Sequence, residues 1–523
     1  MREGWLLTLG GGSGQRRCRR GLLQPAARRA LAWGLALELV RIGLLAQETP
    51  PADSVQRLQE ELRQLRQQFE QVQREQGEQI RALERQIESL RAAPPVESGA
   101  PSEPGAPPSP PRAATPPSAE PATAAPAPAD SNLGVSPVPP AASWSPTQPI
   151  PVIQSGQAYM NLSFKMLGTV GASTASDASE ELELGHHDPA GRGFTLQHGE
   201  LALDGAVDPY LRGFANIGMS IDPEGETHVG LGEAYLLTTS LPANLQLKAG
   251  QFLAEFGRQN TQHAYQWDFV DQPLVLNRLL GPHSLRNPGA RLSWLAPTPF
   301  YTETMLGVFN GEGHSAFSYR APGDEATHGR TPLDRGLRGP GDLLFVPRVA
   351  TSFDLTDTQT LVTGVSAAFG PNNSGEHARS EIYGLDWYWK WKPAHAEHGF
   401  PFLAWQTEGL YRRYEAGADP VRGLPAEDLE DWGLYSQVLW GFTRRWVAGL
   451  RGEWVDGNAG AHDALDRFRG ERVRISPNLT FYPTGFSKVR LQYNLDDGDR
   501  FGTEHSVWLQ GEFLLGTHGA HKF

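Results

Sequence analysis

Lys488-Val489-Arg490-Leu491-Gln492-Tyr493-Asn494-Leu495 decides how this chain folds. Apolar and polar residues take turns along it, and a β-strand sorts such a pattern onto two opposite faces. The alternation recurs through the chain. Met160, Leu162, Phe164, Met166 and Val170 alternate with Asn161, Ser163, Lys165 and Thr169. Leu211, Ala215, Ile217 and Met219 alternate with Arg212, Asn216 and Ser220, and Leu385, Trp387, Trp389 and Trp391 with Asp386, Tyr388 and Lys390. Val473, Ile475, Leu479 and Phe481 do so with Arg474, Ser476, Asn478 and Thr480.

A soluble β-sandwich would also alternate, so three further features decide. Aromatic residues gather on the apolar face near strand ends, as at Trp387–Trp391, Trp432, Trp440 and Trp454. Tight links at Leu355–Thr358, Thr443–Arg445 and Pro483–Gly485 are interleaved with long loops at Gly311–Asp342, Glu415–Asp431 and Asp456–Gly470. The chain also ends on a strand pattern and a terminal Phe523. Together these predict an all-β, 16-stranded antiparallel transmembrane β-barrel over residues 155–523, with short turns on one side and long loops on the other. An even strand count returns both ends of the barrel to the short-turn side.

What precedes the barrel changes character twice. Arg16–Arg29 is basic and leads into an apolar run from Ala30 to Ala46, the layout of a signal peptide over residues 1–46. The lone cysteine, Cys18, lies within it, which excludes an internal disulfide framework. Over residues 53–92, Val55, Leu58, Leu62, Leu65, Phe69 and Val72 step by three and four, and the seam resumes at Ile80, Leu83, Ile87 and Leu90. That spacing predicts a coiled-coil helix with a stutter near Gly77, which needs partner helices to cover its seam. Residues 93–150 hold 18 of the 42 prolines among Ala, Ser and Glu, a disordered or extended linker that buries no core.

Charge narrows the function. The first 150 residues hold 16 basic and 15 acidic residues, so the acidity lies after them, 30 basic against 44 acidic. Such a balance argues against nucleic acid as the partner. The sequence holds no Walker loop, HExxH, nucleophile elbow or dinucleotide fingerprint, so an enzyme is not expected, and neither is a cofactor. Histidines at 186, 187, 395, 398, 518 and 521 fit no standard zinc spacing, and no metal site is expected.

The informative residues are then the polar ones on the inward strand face. Lys165, Arg212, Arg291, Arg348, Arg451, Arg474, Lys488 and Arg490 would line a wet lumen, shared with Asp386 and Glu453. Two roles stay open: selecting ions, or bracing the wall through pairs such as Arg451 and Glu453, which share a face two residues apart. Between Arg258 and Arg286 lies a stretch too long for a turn and too apolar to leave exposed, with Trp267, Asp268 and Arg278 in it. It would fold inward and narrow the lumen, or pack over the barrel mouth or against a neighbouring subunit.

Leu231 to Phe252, ending Gly250-Gln251-Phe252 and followed by Phe256-Gly257, resembles the phosphate-selective porin O/P family. The closing stretch, Trp508 to Phe513 and His521 to Phe523, is similar to a porin-like outer-membrane subgroup sometimes labelled zinc-regulated TonB-dependent receptors. The resemblance implies a trimeric, anion-favouring porin in the Gram-negative outer membrane, in contact with its lipid, with the coiled coil in the periplasm. The chain differs in having no dense arginine or lysine cluster. The expected function is passive diffusion of small hydrophilic solutes, anions such as phosphate foremost, through a homotrimer joined by barrel and coiled coil. A gated receptor for a metal complex and a structural tether of the outer membrane to the cell wall are the rival readings.

Overall fold

A computed structural model describes residues 149–516, apart from 177, 179–181, 183, 190, 222–224, 322–327, 335 and 463–468. The expected signal peptide, the coiled coil, all but the last two residues of the linker and the terminal Phe523 lie outside the described residues.

Alternation becomes pairing from Ile150 onward. The strands are β1 (Ile150–Ser155), β2 (Ala158–Ser173), β3 (Gly193–Ala206), β4 (Leu211–Ile221), β5 (Thr227–Thr238) and β6 (Leu245–Leu253). After a short helix α1 (Leu274–Leu280) come β7 (Arg286–Leu295), β8 (Tyr301–Asn310), β9 (Leu343–Thr356), β10 (Gln359–Pro371), β11 (Arg379–Trp391) and β12 (Phe402–Ala416). The last five are β13 (Glu427–Thr443), β14 (Trp446–Gly457), β15 (Arg472–Thr484), β16 (Ser487–Gly498) and β17 (Gly502–Leu515).

Each of β2 to β17 pairs antiparallel with its sequence neighbours, and β17 pairs back onto β2, from Ser506 opposite Ser173 to Leu515 opposite Phe164. The result is a closed barrel of 16 strands, as the alternation predicts. Closure leaves no strand edge to be satisfied by water, the condition for spanning lipid with a sheet. β1 is additional: it continues the β17 side of β2 past Phe164, with Ile150 opposite Leu162 and Ser155 opposite Ala158.

The quoted stretch shows which way the faces point. Lys488, Arg490, Gln492 and Asn494 are at most 2% exposed, whereas Val489, Leu491 and Tyr493 are 37–51% exposed. Polarity is thus inverted relative to a water-soluble barrel, and the same outward apolar face continues through Leu201, Val365, Leu385 and Leu509. A belt of that extent is satisfied by acyl chains, not by water. Among the described residues no helix is long and apolar enough to cross a membrane.

Links of two residues join β9 to β10, β13 to β14 and β15 to β16 on one side, at the tight sequences expected. The link from β11 to β12 on that side is longer, residues 392–401. Opposite lie the connections 254–285 and 311–342. One expected loop is shorter than the sequence suggested: β12 and β13 run on to Ala416 and from Glu427, pairing Glu415 with Asp428.

Candidate functional site

The barrel interior is organised around the connection from β6 to β7, which enters the lumen. Its launch uses the residues Gly250-Gln251-Phe252 and Phe256-Gly257. Gly250 has φ +138°, and a Cβ there would sit 2.2 Å from the Ala234 carbonyl oxygen. The Gln251 amide holds the carbonyls of Leu231 and Gly232, 3.0 Å from each. Phe252 and Phe256 are fully buried. Gly257 has φ +60°, and a Cβ there would meet the Glu408 carboxylate at 2.2 Å; its N–H donates to Ser366 Oγ at 3.0 Å. These two glycines let the chain leave the wall and turn across the lumen.

Toward the loop side the segment is held by apolar packing. Leu274, Val275, Leu276, Leu279 and Leu280 of α1 are buried among Phe252, Phe309, Leu344, Val346, Ile382, Leu410 and Val455 on the inward wall. Tyr319, from the connection 311–342, joins them, and Ser318 Oγ donates to the Leu279 carbonyl at 2.5 Å. Each such leucine removed from water contributes on the order of 2 kcal/mol. The wall here departs from its own pattern: Leu344, Phe345 and Val346 are apolar on both faces of β9.

The stretch Tyr265–Gln272 is held by ions instead. Asp271 receives the guanidiniums of Arg451 and Arg474 (3.3 Å for the latter) and the amides of Gln492 (2.9 Å) and Asn494 (2.8 Å). Burial alone would raise its carboxyl, but the two arginines outweigh it and hold it below the usual carboxylate range. Arg451 also pairs with Glu453 (2.7 Å), whose carboxylate accepts the first N–H of α1 from Leu274 (2.6 Å). Arg474 and Arg472 share Asp496 at 2.8 and 2.7 Å. Lys488 donates to the Tyr265 carbonyl (2.8 Å) and pairs with Glu512 (2.6 Å), and Arg490 donates to the Trp267 carbonyl (3.0 Å).

Lys165 pairs with Glu200 at 2.6 Å beneath the Tyr265 ring. Arg348 grips Asp386 with two bonds of 2.6 and 3.0 Å. Arg291 reaches Glu255 (3.3 Å) and Gln246 (2.7 Å). Arg212 reaches Asp204 at 3.1 Å from a half-exposed position at the short-turn end. Trp267 is buried with Leu167, Ala264, Tyr265 and Leu514, while Asp268 accepts from Gln437 at 3.4 Å. Arg278 is not with them: it donates to the Gly470 carbonyl (2.9 Å), in the connection between β14 and β15.

Below the segment, toward the short turns, a cavity of about 200 Å³ remains. Arg258, Asp268, Tyr388, Lys390, Tyr482 and Arg490 line it. The Arg258 guanidinium stacks 4.0 Å above the Tyr388 ring and donates to Gln406 (3.1 Å). Lys390 Nζ lies 5.2 Å from the Phe402 ring. Among the described residues neither forms an ion pair, unlike the eight basic residues read from the sequence other than Arg490, which is satisfied by Thr480 and Gln510 (3.0 and 3.1 Å). Lys390 was legible as an inward residue on β11; Arg258 has no alternation to place it, because it lies off the wall.

Over 350 residues the chain is 33% identical to an uncharacterized protein of Aquifex aeolicus (strain VF5), covering 64% of this chain and 70% of that one. The chain belongs to that protein's family. No family model matches it. Among solved structures, the outer-membrane channel DcaP of Acinetobacter baumannii shares 12% identity and a TM-score of 0.47 over 69% of this chain and 99% of that chain. OmpF of Salmonella typhi shares 12% identity and a TM-score of 0.40, covering 69% and 98%. A loop-deletion form of the outer-membrane protein OmpT of Vibrio cholerae shares 8% and 0.42, covering 69% and 100%. Likenesses at this level carry no argument about what the chain does.

Proposed function

We propose that this barrel is an outer-membrane porin through which small hydrophilic solutes diffuse passively, anions ahead of cations and phosphate among them, in a homotrimer whose coiled coil lies in the periplasm. The observation that carries the reading is the inverted barrel with a segment across its lumen and a polar cavity beside it, where Arg258 and Lys390 form no ion pair among the described residues. Most inward cations hold the segment, so net preference falls to these two, against Asp268. Their removal tests it. In planar bilayers under a salt gradient, the wild type is expected to give a reversal potential of anionic sign, and Arg258→Gln with Lys390→Gln to bring it toward zero. A cation-favouring wild type would refute the preference while keeping the channel.

The dense packing of the segment favours one rival, a barrel that is closed at rest and serves as a tether or a gated receptor. An inserted barrel without conductance would favour it.

A further inference from the structure

Four imidazoles meet where the inward segment rejoins the wall, and the channel reading makes no use of them. His186 and His187 come from the connection between β2 and β3, His198 from β3, and His283 from the end of the segment. Ring centroids lie 4.3 Å apart for His186 and His283, 4.5 Å for His187 and His198, and 4.9 Å for His186 and His187. The Nδ1 atoms of His187 and His198 are buried with no hydrogen-bond partner, and His198 as a whole is 5% exposed. Among the described residues no three His, Cys, Asp or Glu side chains converge as a group able to hold a metal ion.

The cluster sits on a seam that fastens the segment. The His186 N–H donates to the Pro282 carbonyl at 2.8 Å. The Gln197 amide bridges the carbonyls of His187 (2.5 Å) and Val270 (2.6 Å). The Asp188 carboxylate accepts the N–H groups of Gly185 and Gln272, at 2.7 Å each.

We infer that this histidine cluster is an acid-sensitive latch: neutral, it packs the end of the inward segment against the connection between β2 and β3, and protonated, its rings repel one another and release the segment. The latch rests on the reading that the segment narrows the passage.

The charges facing the cluster favour the neutral form. Arg286 at the start of β7 bears on His186, His187 and His283; His228 of β5 bears on His186, and His314 of the connection 311–342 on His283. The one facing carboxylate on β3 is Glu200, 3.5 Å from His198 and already paired with Lys165. Burial first, then these neighbours, pushes His187 well below its ordinary 6.5 and His283 to about 3; His186 is exposed and adds a ring packed against both. A released segment would return the rings to water, so the fastened state is favoured above 6.5 and loses ground as pH falls. Asp188 acts in the opposite sense. Burial and then Asp271, against the pull of Gln272, Gly185 and Arg474, raise it to about 6, so the fastened state gains between there and its ordinary 3.8. Two such histidines against one aspartate leave acid as the releasing condition. Each extra proton bound on release shifts the equilibrium by up to about tenfold per pH unit.

Hydrogen exchange of the full chain, refolded in detergent micelles, tests the latch at about pH 7.5 and about pH 5.5 after correction for intrinsic rates. Exchange across residues 270–285 is expected to rise at least about tenfold in acid in the wild type, and by a several-fold smaller factor in His186→Gln with His283→Gln, which leaves His187 in place. His186→Gln alone changes an exposed ring and is expected to lose part of the response. A wild-type segment equally protected at both pH values, or an acid response kept in full by the double variant, overturns the latch. Bilayer recordings in parallel separate the two readings. Acid release with a silent barrel keeps the latch and rejects the channel; a conducting barrel with flat exchange does the reverse.

Discussion

The inward segment is held twice, by unlike chemistry. Around α1 the contacts are apolar, numerous and individually weak; around Asp271 they are few, charged and fully desolvated. An apolar surface tolerates small displacements, because dispersion is non-directional. Two guanidiniums converging on one carboxylate do not, since each bond has a preferred direction and each charge is costly if left alone. The apolar half therefore supplies adhesion, and the ionic half sets where the tip of the segment stands beside the cavity.

Breaking the ionic half should have the largest effect. Asp271→Ala leaves Arg451 and Arg474 facing each other without their shared counter-charge, and is expected to cost about 3–5 kcal/mol of unfolding free energy in urea titrations of the micelle-bound barrel. It should also raise single-channel conductance, because the stretch Tyr265–Gln272 loses its anchor. Leu279→Ala should cost somewhat less, about 3 kcal/mol, through the cavity it leaves in α1's packing. Its conductance should stay near wild type, since Asp271 still fixes the tip. Equal conductance changes in the two variants would dissolve the distinction between adhesion and placement.

Much of this was written in the sequence, and unevenly. Period-two alternation gave the strands and their count, because the lipid-facing and lumen-facing sides differ sharply in polarity, as at Val489 and Arg490. The stretch after Arg258 was too apolar for water, which left folding inward, packing over the mouth and packing against a neighbour open, and its helix α1 is buried against residues of the wall. Arg451 and Glu453 could be paired from spacing on one strand alone. Asp271 could not: its partners lie 180 and 203 residues away, and only barrel closure and register bring β14 and β15 to it. The inward apolar patch had a local signal that alternation obscured, the run Leu343-Leu344-Phe345-Val346, apolar on both faces where a lumen-facing strand should not be. The histidine cluster draws on three separate segments, and His283 had no pattern to single it out.

The smallest effect should come at the rim, where neither kind of hold operates. Arg212 reaches Asp204 at 3.1 Å, but its side chain is 45% exposed, near the short turn between β3 and β4. Water screens that pair and competes for both partners, so Arg212→Gln is expected to change unfolding free energy by less than about 0.5 kcal/mol. The comparison with Arg451 is the sharp one, since both are inward-reading arginines on alternating strands with a carboxylate in reach. Arg451 is 1% exposed and also carries the Asp271 carbonyl (3.0 Å), so its loss strands buried groups on two elements at once. If Arg212→Gln proved as costly as a change at Asp271, position along the strand would not be what decides an inward arginine's worth. Burial behind the segment, and not charge or strand face, would then have to be given up as the determinant.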